Sequence, residues 1–171
     1  MEDLIYCQRD IPKEQWRYGL RSSAATGCGW IAVYNALRLM GYAADPEKLV
    51  KDFAWQLPLI HGNLGTTILA PALYLRKRGF DTDWTARLER FDDFAREYPV
   101  CILFYRWYGK FKLGSHFVTV RATETGFTGY NTYTNSKGPD HYGPSLQAFL
   151  KKKKYFGPVL IGIRPREGSK L

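Results

Sequence analysis

Hydrophobic and polar positions divide the chain into a helical first half and a β-rich second half. The stretch from Ser22 to Met40, S-S-A-A-T-G-C-G-W-I-A-V-Y-N-A-L-R-L-M, is apolar at nearly every position from Trp30 onward, with Asn35 and Arg38 the only clearly polar interruptions. A helix apolar on all sides must be wrapped by the rest of the fold, so this stretch predicts a buried central helix that ends at Gly41. A second helix is expected over 46–55, with Asp45 as its N-cap and Pro46 at its first position. A third runs from Thr66 or Thr67 through Arg78, with Pro71 tolerable near its start and Gly79 ending it. The segment before the central helix holds Pro12 and Gly19 without a clean period and reads as an irregular arm.

From Phe80 the pattern changes to a strand reaching Trp84, a helix near 88–97 and a strand over 100–107. Ser115 to Ala122 alternates strictly, so His116, Val118, Val120 and Ala122 share one face, and the valines are expected to turn that face to the helical half. Gly126 to Tyr133 is the next strand, with Phe127, Gly129, Asn131 and Tyr133 together. A two-residue turn at Thr123-Glu124 would set His116 opposite Asn131, with Cβ atoms about 5 Å apart. Moving the turn by one position makes the pair diagonal at about 7 Å. An odd loop would split the two residues across the sheet unless a bulge corrected it. Residues 135–143 are turn-rich, Ser145 caps a short helix to Lys153, and 158–164 is a closing strand. Nothing repeats and no linker interrupts the chain, so the expectation is one α+β domain over residues 1–171.

With 45% apolar and 16% aromatic residues the chain is not compositionally disordered, and no apolar run approaches the length of a membrane span. Acidic residues near the start, where a secretory signal carries basic ones, favour a cytoplasmic location, with secretion the alternative if a leader has been removed. The net charge of +9 raises nucleic acid as a partner. Its one dense cluster, Lys151 to Lys154, closes a helix, where cations complement the dipole, and no nucleic-acid motif accompanies it. No nucleic-acid partner is therefore expected.

Three cysteines without C-x-x-C spacing give neither a disulfide framework nor a metal site. Cys101 lies in an apolar β-type run and reads as packing; His61, alone in a loop, reads as incidental. Cys28 opens the central helix among small residues and two glycines, where orphan N–H groups and the helix dipole favour the thiolate and would depress its pKa. Alone, it is equally a buried structural cysteine. Gln8 alone is a solvated glutamine, His116 a core histidine, and Asn131 a polar residue near a turn. Together, Cys, His and Asn in this order on a helix and two strands are what thiol catalysis needs. The histidine takes the thiol proton and returns it to the leaving group, and the asparagine holds the imidazole in one tautomer.

These stretches resemble papain-like cysteine peptidases, and within them the bacterial branch of double-glycine (bacteriocin leader) peptidases. Y-C-Q-R-D, W-R-Y-G and T-G-C-G-W-I-A-V-Y-N-A-L are similar to that branch's glutamine arm and nucleophile helix, G-S-H-F-V-T-V to its histidine strand, and G-F-T-G-Y-N-T-Y to the strand after it. The likeness runs from Tyr6 to Arg164. It implies a papain-like fold, Cys28 as nucleophile, His116 as general base and acid, Asn131 as its orienter, and Gln8 as an oxyanion donor beside the Cys28 backbone N–H. It further implies a peptide or protein substrate and no metal or organic cofactor. Trp30 departs from the branch, which has a smaller residue or proline there; it would narrow the cleft or cap the core. The membrane and ATPase regions of the exporter peptidases are not in these residues, so leader processing is not implied. Acyl transfer or deamidation on the same scaffold, and a non-catalytic peptide-binding module, are the alternatives.

Overall fold

The computed structural model describes residues 3–18, 21–56, 66–109 and 113–166. His61 lies outside the described residues.

The central helix forms as α2 (Cys28–Leu39), preceded through Gly27 by the single turn of α1 (Ser23–Thr26). It is buried without interruption from Gly29 to Leu37. Asn35 sits in this apolar cylinder because it has a dedicated partner. Its Oδ1 accepts from the Ile5 backbone N–H at 2.9 Å, and its Nδ2 donates to the Ile5 carbonyl at 2.8 Å. Those two bonds satisfy a buried amide as a neighbouring strand would, and they lay the N-terminal arm along the helix. Tyr34 adds a third tie, its hydroxyl donating to the Asp3 carbonyl at 2.8 Å. The arm then forms a 3₁₀ turn at Gln8–Asp10 and two short paired strands, β1 (Arg17–Tyr18) and β2 (Arg21–Ser22). Trp30 belongs to the core: it is fully buried, its ring meets Trp16 edge-on at 5.7 Å, and its Nε1 donates to Ser23 Oγ.

Helix α3 (Pro46–Gln56) begins as expected, with Asp45 Oδ1 accepting from the Glu47 N–H at 2.9 Å. Helix α4 (Ala70–Lys77) starts later than the Thr66 or Thr67 expected, with Pro71 in its first turn. Thr66 serves elsewhere: buried, it shares a hydrogen bond with the Tyr18 hydroxyl at 2.9 Å. Gly79, with φ +84°, ends the helix in the left-handed conformation glycine adopts without a Cβ penalty.

The second half supplies β3 (Phe80–Thr85), α5 (Phe91–Glu97), β4 (Val100–Tyr108), β5 (Leu113–Thr123), β6 (Gly126–Tyr130), β7 (Asp140–Gly143), α6 (Leu146–Lys152) and β8 (Phe156–Pro165). Six strands form one antiparallel sheet in the order β3-β8-β4-β5-β6-β7. The edge strand β7 arises from residues whose turn-like composition hid it. Ser145 caps α6, its Oγ accepting from the Ala148 N–H at 3.2 Å. No described helix is long and apolar enough to cross a membrane.

One facing expectation is corrected. Phe117 and Thr119 point toward the central helix, and Thr119 Oγ1 donates to the Ala32 carbonyl at 2.9 Å. Val118 and Val120 point the other way, into a second core with Phe91, Phe94, Phe149 and Leu150. The reason lies next door in β4, where Val100 through Tyr105 are all buried. A strand apolar at consecutive positions has two faces to cover, and α5 and α6 cover the face that α2 leaves open.

Replacing Asn35 with leucine keeps the branched shape but strands both backbone groups of Ile5. Asn35→Leu is expected to cost about 2 kcal/mol, read as a urea midpoint lowered by roughly 1 M. An unchanged midpoint would mean the arm is held by other contacts.

Candidate active site

The sequence places Cys28 at the head of α2, and the structure shows why small residues surround it. Gly29 leaves no room for a side chain: a Cβ there would lie 2.3 Å from Thr66 Oγ1. The Cys28 thiol is half-buried, whereas Cys7 and Cys101 are buried, and all three are free. Backbone N–H groups of Phe117, Cys28 and Gly29 are aimed at its sulfur and favour the thiolate, yet burial outweighs them and pushes the Cys28 pKa up to about 11. The depressed pKa expected from the helix end is therefore not found in the resting site. Desolvation of an anion exceeds what three backbone dipoles return here.

His116 sits near the start of β5, one residue before the Phe117 whose N–H faces Cys28. The connection to β6 is the two-residue turn Glu124-Thr125, with Thr123 paired to Gly126 and Thr119 to Tyr130. This is the shifted, even-length turn, so the parity argument holds. The contact itself differs from expectation. His116 Nε2 bonds to the backbone carbonyl of Asn131 at 2.6 Å, not to its side chain. Strand β6 ends at Tyr130, and Asn131 turns out of the ladder with φ +63°, which swings its carbonyl toward the imidazole and its side chain away. A carbonyl can only accept, so Nε2 carries the proton and Nδ1 keeps its lone pair. Burial lowers the His116 pKa, while the Asn131 carbonyl pulls it back up. The ring is flanked edge-on by its cross-strand partner Tyr105 at 6.1 Å, and Tyr105 lies flat on Tyr155 at 4.2 Å.

Gln8 is not a solvated glutamine. Its backbone N–H donates to Asn131 Oδ1 at 2.8 Å, its Oε1 faces Asn131 Nδ2 at 3.5 Å, and its Nε2 donates to the Ala24 carbonyl at 3.2 Å. Ala24 lies in α1, one turn before Cys28, so the arm delivers this amide to the head of α2. The structure thus joins Gln8, Asn131 and His116 directly, and brings Cys28 to them through the Phe117 backbone. No hydrogen bond links the Cys28 sulfur to the imidazole among the described residues. Sequence reasoning missed Tyr105 and the backbone role of Asn131. Strand alternation could have paired Tyr105 with His116 given the β4–β5 register, whereas a carbonyl has no sequence signature.

A groove of about 810 Å³ opens alongside, running between Thr66, which covers Gly29, and Ser115, the neighbour of His116. Leu69, Trp84, Phe104 and Leu113 line it. Leu69, Trp84 and Leu113 are among the few large apolar side chains left exposed on the described surface.

With this geometry in view, comparisons with known proteins are informative at the level of fold. The chain is similar to the peptidase domain of Streptococcus ComA, a bi-functional ABC transporter involved in quorum sensing, with a TM-score of 0.56 and 15% sequence identity. The similarity covers 83% of this chain and 93% of that one. No family model and no curated protein matches the sequence. The mixed α+β architecture expected from the sequence is that of this peptidase domain.

Two outcomes follow. Cys28 is expected to be alkylated first of the three thiols at neutral pH, since it alone is not buried and burial pushes Cys101 still higher; peptide mapping after iodoacetamide treatment reads the order. The resting pair, neutral imidazole with protonated thiol, persists between the lowered His116 pKa and the Cys28 value of about 11. Any turnover that depends on this pair should therefore rise with pH to a midpoint below the usual histidine value, then stay level until strongly alkaline pH. A narrow bell centred near neutrality would contradict this.

Proposed function

We propose that the chain is a thiol-dependent hydrolase of peptide or related amide bonds, with Cys28 as nucleophile, His116 as base and acid, and Gln8 as oxyanion donor. The observation that carries this reading is the joined set itself. A protonated Nε2 anchored on a carbonyl leaves Nδ1 as the base, and an amide from a distant arm is brought to the helix end that bears a half-buried thiol.

In this scheme His116 Nδ1 takes the thiol proton as the sulfur attacks the carbonyl carbon, so the thiolate is made at the moment of use. The resulting oxyanion receives the Cys28 backbone N–H and the second N–H of Gln8 Nε2, donors worth about 3 kcal/mol each when aimed at developing charge. Collapse of the tetrahedral species passes the imidazolium proton to the leaving amine and leaves a thioester. Water, deprotonated by Nδ1, then attacks the thioester and releases the acid and the thiol. The apolar groove beside the site supports a peptide substrate, because it offers side-chain contacts on one flank of the reacting bond. The similarity in fold to a peptidase domain supports the same class.

Digestion of a mixed peptide library, read by mass spectrometry, tests the reading. Cleavage is expected to vanish in Cys28→Ala and His116→Ala and to slow about a hundredfold in Gln8→Ala with the fold intact. Persistence of cleavage in Cys28→Ala would end the proposal. Added glycinamide appearing in the products as a new amide would redirect it from hydrolysis to acyl transfer.

A further inference from the structure

Asn131 makes two kinds of contact that point in different directions, and its hydrogen bonds can be assigned without ambiguity. The Gln8 backbone N–H is a donor, so the Asn131 side-chain atom 2.8 Å from it is the oxygen. The other terminal atom is then the amide nitrogen, a donor, and what it faces at 3.5 Å must be an acceptor, which fixes that atom as Gln8 Oε1. The Gln8 nitrogen is thereby the atom on the Ala24 carbonyl at 3.2 Å, in agreement with a carbonyl's need for a donor. Backbone groups at both ends of the chain of bonds set each amide's orientation. No part of the Asn131 side chain is committed to the imidazole, which its carbonyl already holds at 2.6 Å.

We infer that the Asn131 side chain is a positioning residue for the oxyanion donor Gln8, and that its left-handed turn lets one residue hold the glutamine with its side chain and the histidine with its backbone. This rests on the catalytic reading above and assigns the asparagine a different task within it. By donating to Oε1, Asn131 keeps the Gln8 Nε2 turned toward the head of the nucleophile helix. There one N–H is used on Ala24, and the other has no partner among the described residues. Without that donor the amide is held by the Ala24 carbonyl alone and can pivot about that single bond, and misplacement of a catalytic donor by about 1 Å can cost about a hundredfold.

Two thiol probes separate this from a role in orienting the imidazole. Iodoacetamide alkylates Cys28 by displacement at carbon and builds no oxyanion. p-Nitrophenyl acetate acylates it through a tetrahedral oxyanion: the sulfur–carbon bond forms, the carbon–oxygen bond breaks, coloured p-nitrophenolate leaves, and the thiol proton passes to His116. Asn131→Gly keeps the left-handed backbone and hence the carbonyl on His116. It should slow acylation by about tenfold to a hundredfold, comparably to Gln8→Ala, while alkylation falls far less. The double variant should be no slower than Gln8→Ala alone, because both changes remove the same donor. Asn131→Asp retains an acceptor for the Gln8 N–H but sets a carboxylate against Oε1, so it should also lose acylation. It tolerates the same backbone conformation, and it answers the question if the glycine variant fails to fold.

If instead Asn131→Asp keeps acylation and moves the acid limb of the pH profile upward, the side chain serves the imidazole and the inference is wrong. Multiplying losses in the double variant would also overturn it. If neither probe modifies Cys28 in the unaltered protein, the catalytic reading falls first and takes this inference with it.

Discussion

A helix that is apolar around its whole circumference constrains everything else in this molecule. With Gly29 to Leu37 buried, α2 meets solvent only near its ends, and the arm, α3, α4 and one face of the sheet are arranged to cover its sides. The arm crosses it through Asn35, and the sheet presents Phe104, Phe117 and Ile161 to it. Thr66 occupies the space a side chain at position 29 would need. The half-buried Cys28 thiol lies at the N-terminal end of this helix, between the buried Gly27 and Gly29. Closeness of packing at Gly29 and access at Cys28 are two consequences of the same burial.

At that end, three segments far apart in the chain converge on one turn. The arm brings Gln8, α1 brings the Ala24 carbonyl, and β5 brings His116 and the Phe117 N–H, while Asn131 bonds two of them. The turn works because β6 stops at Tyr130. A ladder continued through Asn131 would direct its carbonyl along the sheet, and its φ of +63° redirects carbonyl and side chain to different partners. Asparagine is among the few residues that adopt this conformation without much penalty.

The electrostatics of the site follow from its burial. Desolvation raises the thiol and lowers the imidazole, so both rest uncharged, although backbone N–H groups are aimed at the sulfur. Fixed dipoles of this kind need no reorganisation when charge develops, which makes them useful to a passing anion even where they do not stabilise a resting one. The imidazole meets Tyr105 edge-on, and Tyr105 is itself held flat against Tyr155.

Local pattern determined much of this protein. The run of apolar residues marked the central helix, the Asp45 and Ser145 caps marked two more, and strict alternation marked β5, because period and capping are properties of neighbouring residues. The even turn between β5 and β6 was legible as one of a few options, and it kept His116 and Asn131 within reach. What the sequence could not disclose were relations between distant segments. Val118 and Val120 face α5 and α6 because the whole sheet has two covers, a fact held in β4 and not in β5. Whether Asn131 offers the histidine its side chain or its carbonyl depends on one dihedral angle just past the end of β6, where the arm residue Gln8 takes up the side chain from across the molecule. Residue types name the groups available for chemistry; only tertiary structure decides which atom of each group meets which partner, because hydrogen-bond direction is fixed by backbone placement and not by composition.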